Sequence, residues 1–118
     1  MKTLYEVLVP TIYGYPKQTP IRTKHHKNWD AFVQSVTGGL TILSPASGRW
    51  LNKGIEYPEK VIPVRIMCEE TIFDDAEERA TIRDTSQIDK IIKFTLSHYR
   101  QKAVMYYKIT NEVFIVTA

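Results

Sequence analysis

The sequence contains a single cysteine, Cys68, among its 118 residues. One cysteine excludes an internal disulfide and any zinc site built on a pair of thiolates, and it is typical of a chain in the reducing cytoplasm. No apolar run approaches the roughly 20 residues that a membrane-spanning helix requires. The N-terminal residues 1–10 alternate like a strand and have no signal-peptide pattern. We therefore expect a cytoplasmic protein with no membrane partner.

Several catalytic and cofactor motifs are also missing. The sequence has no G-x-G-x-x-G, no G-x-x-x-x-G-K-[ST], no G-x-S-x-G, no H-E-x-x-H and no C-x-x-C. The three histidines lack metal-ligand spacing, because the adjacent His25 and His26 point in different directions on a helix and His98 lies far away in sequence. Cys68 lies in an apolar strand pattern that is typical of a buried structural thiol. We therefore expect no metal and no cofactor.

Charge is unevenly distributed along the chain. Residues 69–79, EETIFDDAEER, carry six acidic side chains and one arginine, whereas the whole chain has a net charge of +3. We interpret residues 69–84 as an acidic inserted loop. The basic remainder favours a small anionic partner, but +3 over one domain is weak support for nucleic acid. The adjacent Tyr106 and Tyr107 also face opposite sides of a strand, which does not match a base-stacking platform.

Two stretches have helical periodicity. Apolar residues at helical spacing predict the first helix, with the glycines at 38–39 ending it and Thr23 or Asn28 as the N-cap: Trp29, Phe32, Val33 and Val36. The second helix has the same spacing and two alternative capping pairs, Asp84 with Gln87 or Ser86 with Asp89. Its apolar face comprises Ile88, Ile91, Ile92, Thr95, Leu96 and Tyr99.

The remaining apolar segments alternate as strands. Asn52, Lys53 and Gly54 tolerate positive φ and therefore predict a hairpin turn. The predicted strands are residues 3–11, 39–43, the two arms of the hairpin within 49–57, 60–68, 103–109 and 113–118.

This order of elements predicts one domain over residues 1–118. The pattern β-α-β-β-α-β, with two amphipathic helices, is typical of a ferredoxin-like α+β fold, in which both helices cover one face of an antiparallel sheet. The segment 113–118 adds an extra C-terminal strand. The other face of the sheet stays open, so we expect a homo-oligomer, most simply a dimer, or a small pocket on that face.

A spaced pattern of short motifs runs through the first half of the chain. It resembles a family of small uncharacterised bacterial domains that share the β-α-β-β-α-β layout. The resemblance implies this fold and no particular activity. The chain differs from that family in lacking its N-terminal secretion signal and in carrying the acidic insertion. The motifs are W-x-x-F at Trp29 and Phe32, GLT at 39–41, G-x-W at Gly48 and Trp50, and then Gly54.

Five residues form the predicted ligand site. Arginine presents guanidinium groups for charge-assisted hydrogen bonds, and tryptophan offers a flat face for stacking. The site comprises Arg22, His25, His26, Arg49 and Trp50. The same residues also fit a solvated helix start and a tryptophan packed in the core, and that alternative stays open.

Two functions follow from this site. The favoured one is a non-catalytic module that binds a small anionic or nucleotide-like ligand or a partner protein. The alternative is a small dimeric α+β barrel-type enzyme in which His26 transfers a proton, because histidine titrates near neutral pH. Glu6 or Glu56 would then be its carboxylate partner.

Overall fold

The computed structural model describes residues 2–70 and 86–118. Within these ranges no helix is long and apolar enough to cross a membrane. The elements, in chain order, are β1 (Lys2–Pro10), α1 (Thr23–Thr37), β2 (Thr41–Ile42), β3 (Ala46–Asn52), β4 (Ile55–Glu69), α2 (Gln87–His98) and β5 (Tyr106–Thr110).

The strands form one antiparallel sheet in which the long β4 has three neighbours. The order is β2-β4-β1-β5, and β3 also pairs with β4. The second half of β4 pairs with β1 up to Pro10 and Val61, while its first half pairs with β3 from Val61 to Ile55. The hairpin of β3 and β4 therefore extends beyond the end of β1.

Alternation along β1 and β4 separates a covered face from an open face. Tyr5, Val7 and Val9 are buried on one side, together with Val64 and Ile66 of β4. Both helices pack on this side, which confirms the predicted arrangement of two helices on one face of an antiparallel sheet. The residues between them point to the open face.

Contacts between the helices close the core. The Trp29 indole N–H donates to the Thr95 hydroxyl over 2.9 Å, and both side chains are buried. Phe32 of α1 stacks on Phe94 of α2 with ring centroids 4.0 Å apart. These pairs position the first turn of α1 next to the last turn of α2.

The helix ends agree only in part with the sequence predictions. Gly38 ends α1 at φ 92°, as predicted, and Ser86 caps α2 by accepting the Asp89 N–H over 3.2 Å. The predicted N-cap of α1 is wrong, because the helix begins at Thr23 and Arg22 is its N-cap, with no side-chain cap. The alternative cap Asp84 lies outside the described residues. Both adjacent histidines are therefore inside α1.

The predicted hairpin is confirmed. Lys53 and Gly54 both have positive φ, 53° and 77°, which matches the two-residue turn that joins β3 to β4. The strand predicted over residues 39–43 is shorter, since only Thr41 and Ile42 pair with β4.

The C-terminus differs from the prediction. Only one strand, β5, follows α2, and the extra strand predicted over residues 113–118 does not form. Within the described part of the chain, residues 112–118 pair with no strand, although the outer edge of β5 is free. The predicted acidic insertion, 69–84, lies outside the described residues except for Glu69 and Glu70.

Candidate ligand site

Three of the predicted site residues lie together at the start of α1. The Arg22 carbonyl accepts the backbone N–H of His25 over 3.0 Å and that of His26 over 3.3 Å. The side chains of His25 and His26 are half-buried, whereas Arg22 is exposed. The helix start is therefore a partly packed junction rather than a fully solvated turn.

The two histidines belong to a histidine–tyrosine cluster of Tyr13, His25, His26, His98 and Tyr99. The His25 Nδ1 is hydrogen-bonded to the Tyr13 hydroxyl, and the His26 Nδ1 lies 2.9 Å from the Tyr99 hydroxyl. The His98 Nε2–H donates to the His25 carbonyl over 2.7 Å, because a carbonyl can only accept. The cluster thus joins the loop before α1 to both helices.

The cluster does not form a metal site. Among residues 2–70 and 86–118, no three histidine, cysteine or carboxylate side chains are grouped so that they can hold an ion. His25 and His26 diverge to different tyrosines, although His98 approaches the His25 ring to a centroid distance of 5.6 Å. The hydrogen bonds described for the five side chains all stay within the cluster, which is the pattern of a structural polar junction.

Burial shifts the pKa values of two cluster members, His26 and Tyr99. It lowers the pKa of His26 below the usual 6.5, and the charges of His98 and His25 act in the same direction, while Asp30 opposes them. Burial also raises the pKa of Tyr99, so its hydroxyl stays protonated and can donate to a neutral His26 Nδ1.

The lowered pKa of His26 predicts less stability in mild acid. The unfolded chain binds a proton near pH 6.5 and the folded chain only at lower pH, so the free energy of unfolding falls as pH drops below 6.5. Burial raises the pKa of Asp30 above its usual 3.8, which acts in the opposite direction: the folded chain keeps that proton to a higher pH, so stability falls as the pH rises through that range. Urea unfolding of wild type and His26→Gln between about pH 5.5 and 7.5 measures the effect. The variant should have the flatter profile; equal slopes would contradict the prediction.

The other two predicted residues lie on β3. Arg49 pairs with Glu56 across the hairpin over 3.4 Å, and the Arg49 side chain is 79% exposed. The backbone of Trp50 pairs with Tyr57. Arg49 is thus engaged within the hairpin, and none of the contacts described for it involves the histidine–tyrosine cluster.

A cavity of about 470 Å³ lies on the open face of the sheet. Strand alternation positions its floor, because Leu8 and Pro10 point away from the helices and Val61 pairs with Pro10. The connection from α2 to β5 forms its wall, and the Gln101 side-chain amide holds that connection by donating to the Ile12 and Tyr99 carbonyls over 2.9 and 3.1 Å. We call it the sheet-face cavity; its lining residues are Leu8, Pro10, Glu59, Val61, Gln101, Ala103, Val104 and Met105.

The lining of the sheet-face cavity is apolar except for two side chains. The Gln101 amide nitrogen donates to the two backbone carbonyls named above, and the amide oxygen is left to accept a hydrogen bond. The Glu59 carboxylate is half-buried and forms no ion pair or hydrogen bond with another side chain that the structure describes. The cavity volume lies within the roughly 300–1,000 Å³ of small-molecule sites. It can bury a flat apolar group and offer a carboxylate to a hydrogen-bond donor.

A second cavity of about 480 Å³ lies at the other end of the open face. Its two cations are neutralised, since Lys2 pairs with Glu69 over 2.6 Å and Arg65 with the buried Glu6 over 3.2 Å. This cavity therefore attracts an anion less strongly than the presence of two cations in its lining indicates. The Arg65–Glu6 pair separates the two cavities.

Comparisons with solved structures identify the fold. Two similar structures are divalent cation tolerance proteins: Cut A1 from Thermus thermophilus, with 5% identity and a TM-score of 0.61, and CutA from Archaeoglobus fulgidus, with 9% identity and a TM-score of 0.57. Each covers 98% of this chain and 88% of its own. A phage SAM lyase in complex with S-methyl-5'-thioadenosine has 12% identity and a TM-score of 0.57, over 97% of this chain and 93% of its own.

These likenesses establish a ferredoxin-like α+β fold, as the order of elements predicted, and at such identities they show the fold alone. No family model matches the chain, and no curated protein matches it significantly. The resemblance to a family of small bacterial domains therefore stays a prediction.

The sequence analysis offered a small pocket on the open face as one alternative but assigned it none of the residues that line the sheet-face cavity, and the predicted site contained only two of the five cluster members, His25 and His26. Tyr13 and Tyr99 are 12 and 73 residues from their histidine partners, so no local spacing indicates the contacts. For the cavity, one signal was present: Leu8 and Val61 are apolar residues on the face opposite to the helix-covered one. Two apolar residues at these positions predict that the open face is apolar there and that a ligand or a partner binds to it.

Proposed function

We propose that the protein is a non-catalytic binding module for a small nucleoside-like ligand, held in the sheet-face cavity. The observation that carries the proposal is the combination of apolar walls with one carboxylate, Glu59, that has no ion-pair or hydrogen-bond partner among the side chains the structure describes. Ligand sites have this character: a mostly apolar surface with few polar groups that fix orientation.

The cavity chemistry narrows the ligand class. Leu8, Val61 and Met105 suit a flat heterocycle, and the Glu59 carboxylate suits the amino group of a base or the hydroxyls of a ribose. A half-buried carboxylate repels phosphate, because like charges interact strongly away from bulk water. Of the predicted small anionic or nucleotide-like ligands, an unphosphorylated nucleoside therefore fits this cavity best.

The likeness to the phage SAM lyase supports the choice of the first probe. That protein was solved with S-methyl-5'-thioadenosine, a nucleoside without phosphate, and it shares this fold. The shared fold alone does not transfer the ligand. It makes S-methyl-5'-thioadenosine and adenosine reasonable compounds to test first.

The residues predicted from the sequence keep a place in the proposal. Arg22, His25 and His26 lie together at the start of α1, and Arg49 and Trp50 lie on the hairpin that also carries Glu59. They are candidates for contacts beyond the cavity, for example with a phosphate-bearing ligand. Cytoplasmic localisation and self-association, most simply as a dimer, also remain parts of the proposal.

Isothermal titration calorimetry tests the ligand. We expect S-methyl-5'-thioadenosine and adenosine to bind, and AMP to bind at least about tenfold more weakly because of repulsion by Glu59. Ala103→Phe fills the cavity from an exposed position and should abolish binding. Glu59→Gln should weaken binding at least about tenfold, since a hydrogen bond to a charged group contributes about 1.5–3 kcal/mol.

The matched control is Glu56→Gln, which makes the same change on β4 outside the cavity. It should leave the affinity unchanged. If no nucleoside binds, or if AMP binds best and Arg22→Ala abolishes that binding, the cavity proposal is wrong. Product analysis with SAM on the same samples tests the alternative of an enzyme with His26 as acid or base; turnover lost in His26→Ala would favour the alternative.

A further inference from the structure

The last residues of the chain form an apolar segment that pairs with no strand among the described residues. Phe114, Ile115 and Val116 are 85%, 62% and 92% exposed. They directly follow β5, an edge strand of the sheet. We call residues 112–118 the C-terminal tail. Three consecutive large apolar side chains at this exposure are unusual on the surface of a protein that acts as a monomer.

The composition of the tail is that of a buried strand. Val113 to Val116 are β-branched or aromatic, and four consecutive apolar residues indicate burial on both faces rather than one. The sequence predicted a strand here, yet among the described residues no strand pairs with it. The outer edge of β5 is free beside the tail and stays unpaired, so the partner of the tail is a different edge.

The outer edge of β3 is a second free edge. Within the described residues β3 pairs only with β4, so its other side carries unpaired backbone groups. Its first three residues, Ala46, Ser47 and Gly48, are small. Large tail side chains can cover small ones on a neighbouring strand, and an aromatic residue opposite a strand glycine is a stabilising pair.

The tail cannot reach β3 of its own chain. Thr110 is aligned with Leu4 and Met67, whereas β3 begins opposite Val61. The end of β5 and the beginning of β3 are six residues apart along the strand direction, which is about 20 Å. Across the sheet they are three strand spacings apart, which is about 14 Å. The resulting distance of roughly 24 Å takes up the full extension of residues 111–117 before any pairing begins.

We infer that the C-terminal tail of one copy adds as a strand to the outer edge of β3 in a second copy. The tail and the edge are both supplied by this chain, so each copy contributes one of each and the assembly closes on itself. Pairing of β5 with β5 would instead leave both β3 edges uncovered. This inference deepens the self-association part of the proposed function and does not depend on the ligand.

Light-scattering mass of two variants tests the inference. Phe114→Asp places a charge in the tail, and Ser47→Glu places one on the β3 edge; both positions are exposed, so the monomer should still fold. Wild type should have a multiple of the 13.7 kDa chain mass, and each variant alone should fall to that mass. Gln18→Glu, in the exposed loop before α1, is the matched control and should assemble like wild type.

Mixing the two variants gives the decisive result. Phe114→Asp keeps an intact β3 edge, and Ser47→Glu keeps an intact tail. A one-to-one mixture should therefore recover a particle of about twice the single-chain mass, held by one intact interface. Recovery also shows that both variants are folded. A monomeric wild type, a variant that stays assembled, or a mixture that stays at single-chain mass would each overturn the inference.

The same samples separate this inference from the ligand proposal. Titration of S-methyl-5'-thioadenosine into the dissociated variants should give the wild-type affinity. If the variants lose assembly and keep the affinity, the tail acts in self-association and not in ligand binding. If wild type does not bind the ligand, only the cavity proposal is wrong.

Discussion

Trp29→Ala is expected to lower the free energy of unfolding by about 3–5 kcal/mol. Trp29 is 1% exposed and is among the largest fully buried side chains in the described core. Its removal creates a cavity between the helices and takes away the N–H that donates to Thr95. Since small domains have total stabilities of about 5–15 kcal/mol, this single change should bring the protein close to unfolding at ambient temperature.

Trp29→Phe separates the two contributions. It keeps most of the apolar volume and removes the donor, so we expect a smaller loss of about 1–3 kcal/mol. Thr95 still donates to the Ile91 carbonyl over 2.6 Å, so its hydroxyl is not left without a partner. Urea unfolding followed by far-UV circular dichroism measures both variants. A loss below about 1 kcal/mol for Trp29→Ala would mean that the interface between α1 and α2 is not the core described above.

Gly14→Ala is the second change with a large expected effect. A Cβ at this position would overlap the backbone carbonyl oxygen of Arg100 and lie 3.2 Å from the Arg100 carbonyl carbon and the Gln101 Cα. Backbone cannot rotate away as a side chain can, so either the loop or the connection after α2 must move. Because the Gly14 N–H also donates to the Tyr99 carbonyl over 3.3 Å, that bond is expected to break. We expect a loss of at least about 1–3 kcal/mol.

Gly39→Ala is the matched control for this prediction. No atom lies within 4 Å of the Cβ that it would add, so the same methyl group should change the stability by less than about 0.5 kcal/mol. The midpoint of urea unfolding compares the two variants directly. Equal midpoints for Gly14→Ala and wild type would show that the loop before α1 does not approach Arg100 as closely as described.

The helices and the hairpin could be predicted from the sequence because their signals are local. Helical spacing from Trp29 to Val36 defines the buried stripe of α1, and the Ser86–Asp89 cap lies within a single turn. The two-residue turn at Lys53 and Gly54 needs only residues that tolerate positive φ. Each of these features is decided by neighbours within a few positions in the sequence.

The wrong predictions concern features that depend on contacts between residues far apart in the sequence. Thr23 and Asn28 are good capping residues, yet α1 begins earlier because His25 and His26 are held by Tyr13 and Tyr99 from elsewhere in the chain. The tail, 112–118, has strand composition and still pairs with no strand among the described residues, although the outer edge of β5 is free beside it. Local propensity is a weak prior whenever the partner is distant.

The candidate site was predicted only in part for the same reason. Residues at the start of α1 were identified from their charge, and the structure places three of them together. The sheet-face cavity combines β1, β4 and the connection after α2, which are separated by about half of the chain. Its one unpaired carboxylate, Glu59, cannot be distinguished from the other acidic residues without the fold.

Chemical-shift mapping by NMR tests the sheet-face cavity most directly. Uniformly ¹⁵N-labelled protein would be titrated with S-methyl-5'-thioadenosine while the backbone amide signals are followed. The proposal predicts saturable shifts concentrated at Leu8, Val61, Ala103 and Met105. Shifts centred on Arg22, His25 and His26, or no saturable shifts at all, would contradict a ligand site on the open face of the sheet.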